Sequence, residues 1–322
     1  MPGGTRFNTR MQDTHRIASV DHGGGIDAAA ARFGGARADW LDLSTGINPR
    51  PYPLPAFAPD AWTALPDRAA FAALEAAAQA FWRVPDGAAI LAAPGASALI
   101  ARMPAVLDGA RVHIPQPTYN EHARAFAAEG WSVTDQSPDA TVVVHPNNPD
   151  GCLHPLPGTP FAVIDESFGD VMPEASLIAH STRPGVLVLK SFGKFWGLAG
   201  LRLGFLIGDP VLVAKMATLI GPWAVSGPAL LTGAVALDDH AWATETRARL
   251  ARDAARLDAL TGWPVVGGTT LFRLYDLPDA RAMQDKLAGH HIWTRTFPWS
   301  DRLIRLGLPD GAGWARLERA LA

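Results

Sequence analysis

The chain has 322 residues, 48% of them hydrophobic, and its 28 basic and 31 acidic side chains leave a net charge of -3. This near balance, without a zinc-finger or RRM motif, excludes the basic surface typical of nucleic-acid-binding proteins. The length and the hydrophobic content predict one broad α/β domain and a smaller second domain.

Three features of the sequence bear on where the protein works. The N-terminal sequence MPGGTRFNTRMQDTHR lacks the apolar segment of a secretory signal peptide. The most apolar later window, 88–107, is interrupted by prolines, a glycine and an arginine, which argues against a membrane span. Cys152 is the only cysteine, which excludes an intrachain disulfide and a cysteine-rich metal site. We therefore expect a cytoplasmic protein with no membrane partner, no nucleic-acid partner and no bound metal.

The N-terminal part of the chain alternates between glycine-rich turns and short regular elements. Residues 1–20 are polar and irregular, and an alanine-rich helix is expected between His22-Gly-Gly-Gly and Gly34. A brief strand at 40–43 leads into the loop STGINPRPYP, which either caps the surrounding structure or contacts a polar ligand. Apolar side chains at helical spacing within 67–82 then predict an amphipathic helix.

Apolar segments in the middle of the chain predict the strands of a sheet, at 89–91, 112–114, 141–144, 161–165, 186–189 and 203–207. The turn APGAS follows the first of them, and free N–H groups at the start of the next helix suit a phosphate. Asp165 ends the fourth strand, and Lys194 lies just beyond the fifth. In open α/β sheets this edge is where ligands bind, so both side chains are site candidates.

The segment SFGKFWGLAGLRLGF, at 191–205, contains the residue on which the prediction of function depends. Lys194 lies there beside Phe195 and Trp196, in surroundings that water solvates poorly. Poor solvation lowers the pKa of an amine and makes it a better nucleophile. Arg202 offers a planar guanidinium that suits a phosphate. Taken alone, however, a Gly-Lys pair is usually a solvent-exposed loop lysine.

The C-terminal third predicts the smaller domain. A long helical region, 228–260, bends near Asp238 and presents one apolar face. The helical pattern breaks at 262–268, and short strands are expected at 270–275, 291–294 and 302–306. Trp223 and Trp263 are expected in the core.

These motifs resemble the cofactor-lysine signature of fold-type I pyridoxal-phosphate enzymes, the aspartate aminotransferase superfamily. The signature is Ser-x-x-Lys followed by Gly-Leu-x-Gly-x-Arg-x-Gly, and the resemblance runs from His22 to the C terminus. It implies a mostly parallel, seven-stranded sheet sandwiched by helices, with a smaller α+β C-terminal domain and a homodimeric assembly. The expected division is an N-terminal arm and a segment packing on the small domain (1–45), a large cofactor-binding domain (46–230) and a small domain (231–322).

The resemblance also implies roles for individual residues. Lys194 would bind pyridoxal phosphate covalently, and Asp165 would pair with the pyridine nitrogen, so that the ring accepts electrons. Tyr119 would stack on the ring, unless it is a core tyrosine, and Asn148 would donate to the phenolic oxygen. The cofactor phosphate would be held by Gly95, Ala96, Ser97, Ser191 and Arg202.

Within the superfamily, the combination of HGGGxxxAAxRFG, WLDLSTGINPxPYP and the lysine segment is similar to threonine-phosphate decarboxylases of cobalamin biosynthesis. Such an enzyme converts L-threonine O-3-phosphate into (R)-1-aminopropan-2-yl phosphate. Arg305, or its rival Arg302, would clamp the substrate carboxylate. The remaining anionic group would be gripped by residues of the two N-terminal motifs, His22, Ser44 and Asn48.

Two departures from the family pattern bear on the reaction. Leu65 stands where relatives often carry a tyrosine that reaches the neighbouring subunit's cofactor phosphate. Phe168 stands where aminotransferases often place a tyrosine, which favours decarboxylation. The alternatives are an aminotransferase, such as histidinol-phosphate aminotransferase, and a non-catalytic regulatory protein on the same fold. Regulators of that kind carry an added DNA-binding segment, for which we find no spare stretch of chain.

Overall fold

A computed structural model describes residues 22–322. The arm expected at 1–20 lies outside the described residues. The α-helices are α1 (Ile26–Phe33), α2 (Asp60–Thr63), α3 (Arg68–Trp82), α4 (Ala96–Val106), α5 (Asn120–Ala128), α6 (Pro210–Ile220), α7 (Gly227–Asp238), α8 (His240–Thr261), α9 (Ala280–Ala288) and α10 (Gly311–Leu321). The strands are β1 (Leu41–Asp42), β2 (Ala89–Ala93), β3 (Arg111–His113), β4 (Ser132–Val133), β5 (Ala140–Val144), β6 (Phe161–Asp165), β7 (Val186–Ser191), β8 (Gly204–Gly208), β9 (Val265–Thr269), β10 (Phe272–Asp276), β11 (Ile292–Trp293), β12 (Arg295–Phe297) and β13 (Ser300–Gly307).

The larger sheet has seven strands in the order β2-β8-β7-β6-β5-β3-β4. Only β8 runs antiparallel to its neighbours, and the other pairs are parallel. Alternate residues of β7 enter opposite cores, with Val186 and Val188 on one face and Leu187 and Leu189 on the other. Helices α4, α5 and α6 cover one face, while α3 and α7 cover the other. Burial on both faces explains the apolar run at the start of β7. The predicted α/β fold class is confirmed.

The C-terminal elements form a separate four-stranded antiparallel sheet in the order β12-β13-β10-β9. The N-terminal segment packs on this part of the molecule, because β1 pairs in parallel with β11. Trp40 and Ile26 add to this contact by packing with Ala288 of α9. The predicted bend near Asp238 is confirmed, since the side chain of Asp239 accepts a bond from Trp242 N and starts α8.

The predicted end of the long helical region at 262 is confirmed, since α8 ends at Thr261 and Gly262 follows it with φ +61°. The segment after it contains β9, a strand that the sequence analysis did not predict, in which Gly267 allows a close backbone approach. A Cβ at Gly267 would lie 2.4 Å from the carbonyl oxygen of Asp150. Trp223 is not in the core but 57% exposed, in the connection between α6 and α7.

No helix within residues 22–322 combines the length and the apolar character needed to cross a membrane.

Candidate active site

Two cavities adjoin at the carboxyl edge of the seven-stranded sheet. They share four lining residues, Tyr119, Asn148, Phe168 and Lys194. The inner cavity is also lined by Ala96, Ser97, Asp165, Ser191 and Arg202. The outer cavity is also lined by His22, Thr45, Gly46, Arg295, Trp299 and Arg305. Because β5, β6 and β7 are parallel neighbours, the polar groups that follow each of them converge here.

Lys194 lies where the two cavities meet, with its Nζ 5.2 Å from the centroid of the Phe168 ring. Burial, and then the positive charge of Arg305, lowers the pKa of Lys194 from 10.5 to about 8. The negative charge of Asp165 opposes this shift but does not cancel it. Roughly a tenth of the amine is therefore unprotonated at pH 7. Such a lysine is a competent nucleophile near neutral pH.

Asp165 forms a buried pair with His122, whose Nε2 lies 2.9 Å from the Asp165 Oδ2. Burial alone would raise the pKa of Asp165, but the hydrogen bond and charge of His122 outweigh it and lower this pKa. The other carboxylate oxygen accepts from Ser167 N at 2.9 Å. Asp165 is therefore a fixed anion at the wall of the inner cavity.

His122 was not among the residues predicted from the sequence. It lies on α5, one helical turn after Tyr119, and this spacing was the available signal. Its Nδ1 is buried without a hydrogen-bond partner among the described residues. A carboxylate only accepts, so Nε2 carries the proton of the bond to Asp165.

The N terminus of α4 and Arg202 form a cradle at the far end of the inner cavity. No described side chain caps α4, which starts after Gly95 at φ +84°. A Cβ at Gly95 would lie 2.6 Å from an Arg202 nitrogen, so only glycine allows the guanidinium to approach the helix. Ser97 and Ser191 also line this end of the cavity. Unpaired helix N–H groups, hydroxyl groups and a guanidinium together suit a phosphate.

Tyr119 lines both cavities directly before α5. Burial, and then the charge of Asp165, raises the pKa of Tyr119 to about 12, so the phenol is neutral at physiological pH. Its ring centroid lies 5.7 Å from that of His22 and 6.1 Å from that of His122. The structure therefore puts this tyrosine at the cavity wall rather than wholly within the core.

Arg305 and Arg295 are cross-strand partners in the antiparallel pair of β13 and β12. Arg305 is 5% exposed, donates to Ser44 O at 2.6 Å and donates to Asn148 Oδ1. Burial, and then the charge of Arg295, lowers the pKa of Arg305, although an arginine stays charged at neutral pH. Its Nε is buried without a partner in the described part of the chain. Two close cations lining one cavity favour an anionic ligand.

Arg302, the rival candidate for the carboxylate clamp, lies elsewhere. Its Nε and Nη2 donate to both carboxylate oxygens of Asp276, at 2.7 and 2.9 Å. Successive side chains of a strand point to opposite faces of the sheet. Arg302 and Arg305 are three positions apart on β13, so their side chains lie on opposite faces. Neither cavity described above is lined by Arg302.

Ser44 and Asn48, expected to grip the substrate, line neither cavity formed by the described residues. The Ser44 hydroxyl accepts from Gly24 N and donates to Asp42. The Asn48 amide donates to Phe195 O and accepts from Arg249. Their polar atoms are thus used within the protein, and Thr45 and Gly46 from the same loop line the outer cavity instead.

His22, the third residue expected to grip the substrate, does line the outer cavity. Its Nε2 lies 3.1 Å from Glu121 Oε1, at the start of α5. Arg295, by contrast, was missed, because its place beside Arg305 depends on strand register that no local motif encodes.

Comparison with known proteins identifies relatives that align with nearly the whole chain. The aminotransferase class I and II family model matches residues 160–311. A threonine-phosphate decarboxylase of a Sinorhizobium species is 42% identical, with 95% of this chain and 98% of that protein aligned. The threonine-phosphate decarboxylase of Pseudomonas aeruginosa is 40% identical over 94% of this chain and 97% of its own.

Solved structures share the fold at lower identity. The histidinol-phosphate aminotransferase of Sinorhizobium meliloti, in complex with pyridoxal-5'-phosphate, has a TM-score of 0.78 at 18% identity and covers 97% of each chain. An L-threonine-O-3-phosphate decarboxylase from Porphyromonas gingivalis has a TM-score of 0.69 at 20% identity, covering 87% of this chain and 97% of its own.

Proposed function

The chain belongs to the threonine-phosphate decarboxylase family, within the class I and II aminotransferases, and from this membership we propose that it decarboxylates L-threonine O-3-phosphate. The product is (R)-1-aminopropan-2-yl phosphate, a precursor in cobalamin biosynthesis. The cofactor is pyridoxal phosphate.

One observation carries this assignment beyond family membership. Arg305 and Arg295 lie side by side on the strands that line the outer cavity, and Lys194 lies where that cavity adjoins the inner one. A substrate that has both a carboxylate and a phosphate offers one anion to each guanidinium. Its amino group is then directed toward Lys194. Threonine phosphate has this pattern of charges on a short carbon chain.

The residues of the inner cavity fit pyridoxal phosphate. Ala96 and Ser97 at the start of α4, with Ser191 and Arg202, would hold its phosphate. Asp165, kept anionic by His122, would hold its ring nitrogen. Asn148 would donate through Nδ2 to its phenolic oxygen, because its Oδ1 already accepts from Arg305. When bound, the cofactor supplies an electron sink for the bond that breaks at Cα.

Side chains of the protein orient the substrate and supply the proton that the reaction needs. Arg305 orients the substrate carboxylate, and Arg295 with His22 holds the phosphate. The bond between Cα and the carboxylate carbon breaks and carbon dioxide leaves. The ammonium form of Lys194, whose pKa is close to ambient pH, then donates a proton to Cα in place of the lost carboxylate. Phe168, without a hydroxyl group, packs beside Lys194 and helps exclude water from this step.

Analysis of the products tests the reaction. Purified protein with pyridoxal phosphate and L-threonine O-3-phosphate should release carbon dioxide and aminopropanol phosphate in equal amounts, with no keto acid added. Addition of 2-oxoglutarate should leave the rate unchanged. Formation of glutamate in step with substrate loss, without carbon dioxide, would instead establish the aminotransferase alternative.

Arg295→Gln should raise KM for threonine phosphate about tenfold to a hundredfold, because a charge-assisted contact to the phosphate is lost. His22→Ala should also raise KM for threonine phosphate. The much slower reaction of plain threonine should be insensitive to either change. Arg281→Gln is the matched control, since Arg281 pairs with Asp301 on the surface of the same part of the molecule. A lower kcat at constant KM in Arg295→Gln would contradict the phosphate-binding role.

We also propose a homodimer. The single chain exposes large apolar side chains on and near α2 and before α7, namely Leu54, Trp62, Leu65 and Trp223. A second copy covering them would remove their apolar surface from water. Light scattering of the purified protein should give twice the chain mass of 34.2 kDa.

A further inference from the structure

The loop that contains Lys194 is held by hydrogen bonds from the segment 48–52. The backbone N–H of Asn48 donates to the carbonyl oxygen of Lys194 at 3.0 Å, and its side-chain Nδ2 donates to Phe195 O at 2.8 Å. Tyr52 N donates to Trp196 O at 2.9 Å. Three successive carbonyl groups of the lysine loop thus accept hydrogen bonds from one short segment, and Asn48 supplies two of these three bonds. The Lys194 carbonyl also accepts from Gly197 N at 3.1 Å.

The two segments are also in close backbone contact. Gly197 has φ +70°, and a Cβ there would lie 2.7 Å from Pro51 Cα and 2.8 Å from Asn48 O. Asn48 itself is 2% exposed. With so little free space, a displacement of Asn48 is transmitted to the lysine loop.

Two donors hold the amide oxygen of Asn48, and one of them is Arg249 of α8. Its Nη2 donates to Asn48 Oδ1 at 2.8 Å, and Arg50 N donates to the same oxygen at 3.1 Å. A guanidinium only donates and the Phe195 carbonyl only accepts, so only one orientation of the amide satisfies both. Asp253 in turn pairs with Arg249 at 3.3 Å, one turn along the helix.

We propose that Asn48 is a positioning residue for Lys194, and that Arg249 secures it through a hydrogen bond to its amide oxygen. The inference rests on the proposed role of Lys194. On this proposal Asn48 does not contact the substrate directly, as the sequence analysis expected, but affects the reaction by holding the lysine loop in place. If the loop loosens, water reaches the amine, and the pKa of Lys194 rises toward its ordinary value, because burial is the main cause of its depression.

The test compares Asn48→Ala and Arg249→Met with a control on the same helix. Arg256→Met is the control, because it removes an ion pair from the same helix, as Arg249→Met does. The Arg256 side chain pairs with Glu318 at 2.9 Å and lies 4.2 Å from the centroid of the Trp314 ring. Arg256 does not contact the lysine loop. Competitive acetylation of the full-length chain before cofactor is added, followed by peptide mass spectrometry, measures the pKa of Lys194. Visible circular dichroism of the cofactor-loaded protein measures how firmly the cofactor is oriented.

Both test variants should raise the pKa of Lys194 by about one unit or more and weaken the dichroism, while Arg256→Met changes neither. With threonine phosphate, kcat should fall about tenfold to a hundredfold at nearly constant KM. A raised KM at unchanged kcat would indicate that Asn48 binds the substrate directly, and would overturn the inference. An unchanged pKa of Lys194 in both variants would also overturn it.

The acetylation and dichroism measurements need no substrate. They therefore judge the positioning role even if the protein proves to act on another amino acid, an outcome that affects only the proposed function. Should Asn48→Ala fail to fold, Arg249→Met carries the test, because Met preserves the helix and much of the side-chain volume.

Discussion

Lys194→Ala is expected to lower the rate of carbon dioxide release by about 10⁴-fold or more, because the nucleophile and the proton donor are lost together. The measurement is the initial rate at saturating substrate and cofactor. Lys215→Ala is the control, since Lys215 is a surface lysine paired with Asp108. Cofactor should still bind in Lys194→Ala, because the groups proposed to hold its phosphate remain.

Borohydride reduction of the wild-type protein should place the cofactor label on the peptide containing Lys194. Lys190, the buried lysine of β7, is a poor candidate for the labelled residue. Burial would lower its pKa, but the charges of Glu166 and Asp170 outweigh this effect and raise it. Its ammonium, 2.6 Å from a Glu166 oxygen, therefore stays protonated. Label on Lys190 would contradict the assignment.

The pH dependence of cofactor attachment follows from the same pKa. Below about 8 the amine of Lys194 is protonated and unreactive, and above it the amine is free. The rate of covalent attachment to cofactor-free protein should therefore rise with pH and level off above about 8. A midpoint near 10.5, the ordinary value for lysine, would show that the amine is not buried in solution.

Asp165→Asn is expected to bind cofactor but to lose about 10³-fold or more in kcat, because an amide cannot supply the negative charge opposite the ring nitrogen. The fold should survive, since the change is nearly isosteric and the amide oxygen still accepts from one of the two donors, His122 Nε2 and Ser167 N. Besides kcat, the nitrogen chemical shift of isotopically labelled cofactor should change to that of an unprotonated ring.

Glu166→Gln is the matched control for Asp165→Asn. It neutralises the adjacent buried carboxylate, which binds Lys190 and Ser176 instead of facing a described cavity. This variant should lower Tm more than it lowers kcat. Turnover near the wild-type level in Asp165→Asn would show that another group maintains the protonation of the ring nitrogen.

Local patterns were sufficient to predict the sheet and the order of the polar groups along its edge. Apolar runs indicate which segments are buried strands. A polar residue at the end of such a strand is expected at the edge of the sheet rather than within the core. Asn148, Asp165 and Lys194 could therefore be assigned to one edge, because each follows a strand of a parallel sheet. The glycine pattern around Arg202 can also be recognised locally, although the close approaches that it allows are to distant segments, Gly197 to Pro51 and Gly204 to Ala96.

Contacts between distant segments could not be predicted from such patterns. Arg295 joins Arg305 through antiparallel register, and a one-residue shift would turn one of them to the opposite face. His122 reaches Asp165 across 43 positions of sequence. Nothing in the STGINP loop indicates that Asn48 turns inward while Thr45 and Gly46 line the cavity.

The sequence by itself therefore determined the fold class, the family and the residues proposed to bind the cofactor, because these depend on periodicity and short motifs. Only the tertiary structure decided which residues line the two cavities. It placed Arg302 outside them, brought Arg295 beside Arg305 and engaged Ser44 and Asn48 in hydrogen bonds within the protein. The physical reason is that a side chain's direction depends on strand register and on the hydrogen-bond partners available after the chain has packed.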